Sequence, residues 1–218
     1  MVELTVTIKF LAHASFQIKA DDTIIYIDLE KGARPKENAH IILSTHSHHD
    51  HCDPAKIKSV RGADTVVIAP ADCHTKIGGT VHALKPGEEK IIDDICIRAV
   101  EAYNETRFRS PGNPFHPKGL GVGYILTVEG KSIYHAGDTD FISEMKELGP
   151  IDVALLPVGG TYTMETSDGA DAALAINPKV VIPMHTWDND ITDFKEKVEG
   201  NSGIHVVVLE KDGEFILD

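Results

Sequence analysis

Residues 42–54 read ILSTHSHHDHCDP, and four histidines and two aspartates stand there beside an apolar run. Lysine, glutamate and serine are the usual residues of an exposed loop, so this density of histidine requires another explanation. His46 and His48 lie two residues apart at the end of a predicted strand, which places both imidazoles on one face of the chain. Asp50 and His51 follow where the chain turns. The stretch therefore collects protonatable side chains at one strand end.

The spacing His-x-His-x-Asp-His brings imidazole and carboxylate groups together in one loop between a strand and a helix. These groups are the ligands that a borderline divalent metal prefers, so we interpret His46, His48, Asp50 and His51 as the core of a metal site. The alternative is a polar loop that happens to be rich in histidine. His49 lies outside the pattern, and we expect it to be exposed or to lie behind the ligands.

Two later segments also end predicted strands with possible ligands. In HAGDTD (135–140), Asp138 could bridge two metals through its two carboxylate oxygens. His185 ends the apolar run KVVIPM. Separate strand ends that deliver histidine or aspartate predict a site along one edge of a sheet. The alternatives are that Asp138 is a helix N-cap, although Asp140 suits that role better, and that His185 is a hydrogen-bonded histidine without a ligand role.

The composition is that of an ordinary globular protein, with 42% hydrophobic and 25% charged residues among 218, and we predict a single domain over 1–218. The formal net charge of -13 should repel duplex nucleic acid and anionic membranes. No apolar stretch approaches the ~18 residues of a membrane span, and the first residues do not resemble a signal peptide. Three widely spaced cysteines argue against a disulfide framework. We expect a cytoplasmic protein and leave a homo-oligomer open.

Short apolar and β-branched runs recur along the whole chain, first as a meander and then in alternation with helices. Two sheets packed face to face with helices outside would bury this many apolar strands, so we predict an α/β fold. The predicted strands are 4–10, 14–19, 23–29, 41–46, 65–70, 90–93, 95–103, 122–128, 131–137, 152–158, 179–185, 205–210 and 214–218. One predicted helix begins at Asp53-Pro54, where Asp is the N-cap. The other predicted helices cover 141–148, 171–176 and 191–199.

The order His-x-His-x-Asp-His, then Gly-Asp-Thr, then a strand-terminal histidine resembles the metallo-β-lactamase fold superfamily over nearly the whole chain. Its similarity is greatest to the branch of small hydrolases that includes ascorbate-6-phosphate lactonase. The segments that carry the similarity are FLAHASFQI (10–18), IIYIDLE (24–30), YHAGDTDF (134–141), VALLPVGGTYTM (153–164) and VIPMHTW (181–187). The resemblance implies a four-layer αββα sandwich of two mixed sheets, with helices on the outer faces and the active site along one edge.

The resemblance also implies a metal-dependent hydrolase that uses a metal-bound hydroxide, with Asp50 coupled to proton transfer. It implies one or two divalent metal ions, and we take zinc first, with manganese, iron or nickel as alternatives that suit the same ligands. The implied ligands are His46 and His48 for a first metal, Asp50 and His51 for a second, Asp138 as a bridge and His185 again for the second.

One segment departs from the family pattern. Relatives usually place a first-metal histidine after the strand that precedes Gly-Asp-Thr, but Asn104 stands there, and an amide binds such metals poorly. His116, in the following loop, is the natural substitute because a long loop can fold back over the site. The alternative is that His116 is a surface histidine, which would leave the first metal weakly held.

The stretch 104–118 carries Arg107, Arg109 and Lys118 in an otherwise acidic chain, and we expect it to bind an anionic substrate near the metals. The alternative is a solvated loop without a ligand. The expected substrate is a small anionic ester, lactone or phosphodiester. The competing functions are a nuclease or phosphodiesterase that acts on short single-stranded nucleic acid, and a non-catalytic metal-binding protein.

Two more polar residues stand near the predicted site. His13, in AHAS, is a candidate substrate contact or else a structural histidine held by hydrogen bonds. Asp28 ends the strand IIYIDL, and it either orients a metal-bound imidazole from behind or simply forms a turn.

Overall fold

The computed structural model describes residues 5–187 and 189–217. In chain order the strands are β1 (Val6–Ala12), β2 (Ser15–Ala20), β3 (Thr23–Ile27), β4 (Ala39–Leu43), β5 (Arg61–Ile68), β6 (Glu89–Ile92), β7 (Ile95–Ala102), β8 (Phe108–Ser110), β9 (Asn113–Pro114), β10 (Gly121–Val128), β11 (Lys131–His135), β12 (Val153–Pro157), β13 (Val180–Met184), β14 (His205–Val206) and β15 (Glu214–Leu217). The helices are α1 (Pro54–Val60), α2 (His74–Ile77), α3 (Thr166–Ile176) and α4 (Thr192–Asn201), with 3₁₀ turns at Ala71–Cys73 and Ser143–Glu147. Within the described part of the chain, no helix is long and apolar enough to cross a membrane.

Two mixed sheets carry the fold, one in the order β15-β1-β2-β3-β4-β5 and the other in the order β14-β13-β12-β11-β10-β7-β6. Strands β3, β4 and β5 run parallel, as do β11, β12, β13 and β14, while the remaining pairs are antiparallel. Strands β8 and β9 form a separate small hairpin. The carboxyl ends of parallel strands meet at one edge of a sheet, and this is where ligands gather in such folds.

The main core lies between the sheets and unites apolar side chains from both, such as Phe16, Tyr124 and Leu155. Each is completely buried, which stabilises the fold by roughly 1.5–3 kcal/mol per large apolar side chain. A second cluster joins α3 and α4 to the outer face of the second sheet, and a third joins α1 to the outer face of the first. The predicted four-layer αββα sandwich is therefore confirmed.

The predicted elements differ from the structure in several places. The predicted helix 141–148 is only the 3₁₀ turn Ser143–Glu147, whose N-cap position is held by Ile142. Helix α3 starts five residues before the predicted 171–176, and Gly169 within it lets the helix approach Val158 closely. The predicted strand 205–210 pairs only over two residues. Residue 4 and residue 218 of the predicted terminal strands lie outside the described residues, and α2 and the β8–β9 hairpin had no sequence signal.

Candidate metal centre

The candidate ligands follow the ends of strands from both sheets, along one edge of the sandwich. The loop after β4 carries the His-x-His-x-Asp-His motif, Asp138 follows β11, and His185 follows β13 directly. Gly121 at the start of β10 is needed for this arrangement, since a Cβ there would lie 2.8 Å from the Cβ of His46. The two sheets thus bring the motif loop against β10 without steric conflict.

Three imidazoles form a first cluster at this edge. His46 Nε2 lies 3.0 Å from His48 Nδ1, and His116 Nε2 lies 3.2 Å from the same atom. The nitrogens of three ligands around one tetrahedral zinc ion are about 3.3 Å apart, since each Zn–N bond is about 2.0–2.1 Å. The loop after β9 folds back over this cluster, and His116 is buried rather than at the surface.

A second cluster contains His13, Asp50, His51 and His185, whose ligand atoms all lie within 4.8 Å of one another. Asp138 stands between the two clusters. Its Oδ1 is 3.2 Å from His51 Nε2, and its Oδ2 is 3.3 Å from both His116 Nε2 and His185 Nε2. A carboxylate in this position could bind two metals at once through its two oxygens.

The buried polar atoms of the centre fit a metal. His51 Nε2 and Asp138 Oδ1 are fully buried and 3.2 Å apart, but their orientation is wrong for a hydrogen bond. Neither atom has a hydrogen-bond partner. Buried polar atoms without partners are costly, and a divalent cation would satisfy both at once. Imidazole nitrogens with two carboxylates are also a donor set that zinc, manganese, iron and nickel accept.

Hydrogen bonds behind the ligands set the direction of two rings. His51 Nδ1 donates to Asp28 Oδ2 over 2.7 Å, and the Thr45 hydroxyl donates to the same oxygen over 2.7 Å. His46 Nδ1 lies 3.0 Å from the Thr45 hydroxyl. In both rings Nε2 is left free to face the centre, which is the usual support of metal-bound imidazoles. Asp28 therefore fixes the ring of His51, a candidate ligand, and its φ of 52° is left-handed, as in a turn.

Asn104 supports His116 in the same way. Its Oδ1 accepts hydrogen bonds from the backbone N–H of His116 over 2.8 Å and from His116 Nδ1 over 2.9 Å. Its amide nitrogen donates to Asp140 Oδ1 over 3.0 Å. Asp140 also accepts from the backbone of Thr106, so its carboxylate fixes this loop instead of capping a helix. Asn104, which departs from the family pattern, thus fixes the ring of His116, the candidate substitute ligand.

Replacing Asn104 by alanine should lower the affinity of the protein for its metal by on the order of 10- to 100-fold, the usual cost of losing such a support. His116 would lose two hydrogen bonds while keeping its place in the chain. Competition with a chromogenic chelator measures the affinity. Asn113→Ala, in the neighbouring strand β9 and exposed, is the matched control and should keep the wild-type value. Equal affinities for the two variants would show that Asn104 does not position a ligand.

The electrostatics differ between the candidate ligands at neutral pH. Burial lowers the pKa of His46 well below its ordinary value and that of His116 to about 4, so both imidazoles are neutral and offer a lone pair. Burial alone would raise the pKa of Asp138, but the adjacent His51 and His185 outweigh it and hold that pKa well below the usual range. For His51, the carboxylates of Asp138 and Asp28 outweigh burial and raise the pKa well above its ordinary value.

A cavity of about 280 Å³ opens above the centre. Its lining includes both carboxylates of the centre, three aromatic side chains and one arginine. The lining residues are His48, His49, Asp50, Arg109, Phe115, His116, Asp138, Tyr162, His185 and Trp187. His49 is almost fully exposed, as expected for a histidine outside the ligand pattern.

The cationic side chains predicted to contact substrate separate into two groups. Arg109 lines the cavity, but Arg107 forms ion pairs with Asp140 and Asp168 at one side of it. Lys118 pairs with Glu144 at 2.9 Å and likewise does not line the cavity. The structure therefore corrects the placement of Arg107 and Lys118, whose charges are neutralised by acids far away in sequence.

His13 also differs from its predicted position. The centroid of its ring lies 3.8 Å from that of His185 and its Nε2 lies 3.5 Å from Asp50 Oδ2, and it does not line the cavity. Burial lowers the pKa of His13, so the ring is a neutral member of the second cluster. Sequence reasoning also missed Thr45 and the aromatic lining. Tyr162 and Trp187 stand in the family-like segments, but nothing in those segments indicates which way a side chain points.

The chain belongs to the metallo-β-lactamase superfamily, since the model of the beta-lactamase superfamily domain matches residues 7–185. A UPF0173 metal-dependent hydrolase from Pyrococcus abyssi is 36% identical, with 97% of this chain and 100% of the relative aligned. Another from Pelotomaculum thermopropionicum is 30% identical, with 93% and 96% aligned.

Two solved structures give the same result. A Parabacteroides distasonis protein assigned as a metal-dependent hydrolase superposes with a TM-score of 0.87 at 38% identity, covering 93% of this chain and 92% of that one. The metallo hydrolase Igni18 from Ignicoccus hospitalis has a TM-score of 0.80 at 27% identity, covering 98% and 99%. The protein is a metal-dependent hydrolase, and its histidine and aspartate cluster can bind a metal.

Proposed function

We propose that the centre holds two divalent metals and that zinc suits its nitrogen-rich donor set best. The observation that carries this proposal is the position of Asp138, whose oxygens lie 3.2–3.3 Å from ligand nitrogens of both clusters. The proposed ligands are His46, His48 and His116 for the first metal, Asp50, His51 and His185 for the second, and Asp138 for both.

The reaction that we propose is hydrolysis of an ester, lactone or phosphodiester. Metal ions in such a centre lower the pKa of a bound water toward 7 and polarise the bond to be cleaved. Hydrolysis adds the water oxygen to the acyl carbon or phosphorus and breaks the bond to the leaving oxygen. Asp50 accepts the proton of the water and returns it to the leaving oxygen, because its carboxylate is open to the cavity while Asp138 is almost fully enclosed.

Asp50 is ionised and ready to accept that proton. Burial by itself would raise the pKa of its carboxyl group, but the contact with His13 and the charge of His51 outweigh burial and lower it. In this proposal His13 supports Asp50 and does not contact the substrate. The contacts with His13 and His51 account for a carboxylate that stays charged although it is partly buried at the cavity.

The substrate that we propose is a small anion. The cavity of about 280 Å³ is close to the lower end of the range for small-molecule sites, so a compact ligand fits it better than a nucleic acid strand. Arg109 supplies a positive charge in the lining, and a guanidinium binds carboxylate or phosphate through two parallel hydrogen bonds.

Elemental analysis of protein purified without chelator tests the metal proposal. We expect close to two transition-metal ions per chain in the wild type and close to none in the double variant His48→Ala/His51→Ala, which removes one ligand of each metal. His49→Ala is the matched control, because its exposed ring belongs to neither cluster. Equal metal contents in the wild type and the double variant would refute the site. Turnover of lactones, phosphodiesters and thioesters by the metal-loaded protein then identifies the substrate class.

A further inference from the structure

The cavity has an aromatic wall, which consists of the side chains of Phe115, Tyr162 and Trp187. Phe115 and Tyr162 meet edge to face with ring centroids 4.8 Å apart, and the rings of Tyr162 and Trp187 are 6.5 Å apart. Tyr162 is 41% exposed and Trp187 is 52% exposed. Grouped exposed rings beside a cavity offer apolar surface that a ligand can cover.

The ring of Trp187 is fixed by its surroundings. It lies 4.6 Å from the ring of His13 and meets the ring of His185 edge to face at 5.3 Å. Gly159 makes room for it, since a Cβ there would come within 2.7 Å of Trp187 Cδ1. The exposed indole therefore stands at a set distance from the second metal cluster and is not a side chain that merely extends into solvent.

Arg109 provides a charge beside this apolar surface. Its guanidinium carbon lies 5.6 Å from the centroid of the Phe115 ring, a cation–π arrangement that holds the group at the cavity. Within residues 5–187 and 189–217, Arg109 forms no ion pair with a carboxylate, whereas Arg107 and Lys118 both do. A cation without a paired acid in a chain of net charge -13 is available to an anionic ligand.

We propose that the cavity selects an ester or lactone that combines a planar apolar group, such as a phenyl ring, with a carboxylate or phosphate. The planar group packs against the aromatic wall, the anion pairs with Arg109, and the bond to be cleaved lies over the metal centre. This inference rests on the proposed hydrolytic function and adds the chemical class of its substrate. A short aliphatic anion would leave the aromatic wall exposed, and a neutral aromatic ester would leave Arg109 without a partner.

Binding can be measured without turnover because Trp187 is the only tryptophan of the chain. Metal-loaded protein is titrated with phenylphosphonate, methylphosphonate and benzyl alcohol, followed by tryptophan fluorescence and calorimetry. We expect phenylphosphonate to bind with a Kd on the order of tenfold below that of methylphosphonate, and benzyl alcohol to bind weakest. Equal Kd values for the two phosphonates would overturn the role of the aromatic wall.

Variants assign the two contributions to residues. Tyr162→Ala should bring the ratio of the two Kd values close to one, while Tyr162→Phe, which keeps the ring, should preserve it. Arg109→Gln should weaken both phosphonates on the order of tenfold and leave benzyl alcohol unchanged. Arg34→Gln, an exposed arginine outside the cavity, is the control and should change nothing. An unaltered phosphonate affinity in Arg109→Gln would overturn the assigned anion site.

Binding and hydrolysis measured on the same protein test this inference and the proposed function separately. A phenyl preference that depends on Tyr162, together with no hydrolysis of any ester by the metal-loaded enzyme, would support the binding class and refute the hydrolytic function. Hydrolysis with equal KM for phenyl and methyl esters of the same anionic type would support the function and refute the binding class. Hydrolysis with a lower KM for the phenyl ester, raised in Tyr162→Ala, supports both.

Discussion

Asp50→Asn should lower kcat by on the order of 10²-fold or more, the range expected when acid–base assistance is lost. The amide keeps the size of the carboxylate but accepts no proton at neutral pH. The lining position of Asp50 and its contact with His13 Nε2 at 3.5 Å place the group between the second metal cluster and the cavity. The test compares steady-state kinetics of the metal-loaded wild type and variant on the best substrate found.

Metal content must be measured in the same samples, because Asp50 is also a proposed ligand. Excess metal in the assay restores occupancy if the variant binds the second ion more weakly. Asp64→Asn, an exposed aspartate in β5, is the control and should keep the wild-type kcat. A metal-replete Asp50→Asn protein with unchanged turnover would contradict the proton-transfer role.

The metal motif could be predicted from sequence because its geometry is local. His46, His48, Asp50 and His51 all stand in the single loop between β4 and α1, so their closeness in sequence already brings them near one another. Asp138 and His185 could be added because parallel strands end at the same edge. These inferences need only the periods of regular structure and the chemistry of the ligands, both of which the sequence shows directly.

The cationic residues could not be placed from sequence, because their positions depend on partners far along the chain. Arg107 pairs with Asp168, 61 residues away, and Lys118 pairs with Glu144, 26 residues away. A charge count over 104–118 treats all three cations alike and does not show which one lacks a paired acid. The same applies to Asp140, whose hydrogen bonds to the loop at Thr106 prevent it from acting as a helix N-cap.

Asp28→Asn should have the largest effect on stability. Asp28 and His51 are completely buried and joined at 2.7 Å, and Asp28 Oδ1 also accepts from the backbone N–H of Thr45 at 2.7 Å. Removing one partner of a buried ion pair costs on the order of 3–5 kcal/mol. The free energy of unfolding of the metal-free protein, measured by urea denaturation, should fall by this amount, and metal affinity should fall as well because His51 loses its support.

The effect of Asp28→Asn on the unfolding free energy should change with pH in one direction, which general destabilisation would not do. The pKa of His51 in the folded protein lies well above its ordinary value of about 6.5, because the carboxylates of Asp138 and Asp28 outweigh burial. The stabilisation from that pair is therefore complete below pH ~6.5 and is lost as the pH rises through the folded pKa. The difference in unfolding free energy between wild type and Asp28→Asn should be larger at pH 6 than at pH 9.

Two further measurements decide whether the effect belongs to the pair. Asp64→Asn should stay within about 0.5 kcal/mol of the wild type at both pH values, as expected for an exposed site. A difference for Asp28→Asn that grows from pH 6 to pH 9 would mean that His51 is neutral in the metal-free protein. In that case Asp28 would act on His51 as a hydrogen-bond acceptor alone and not as the partner of an ion pair.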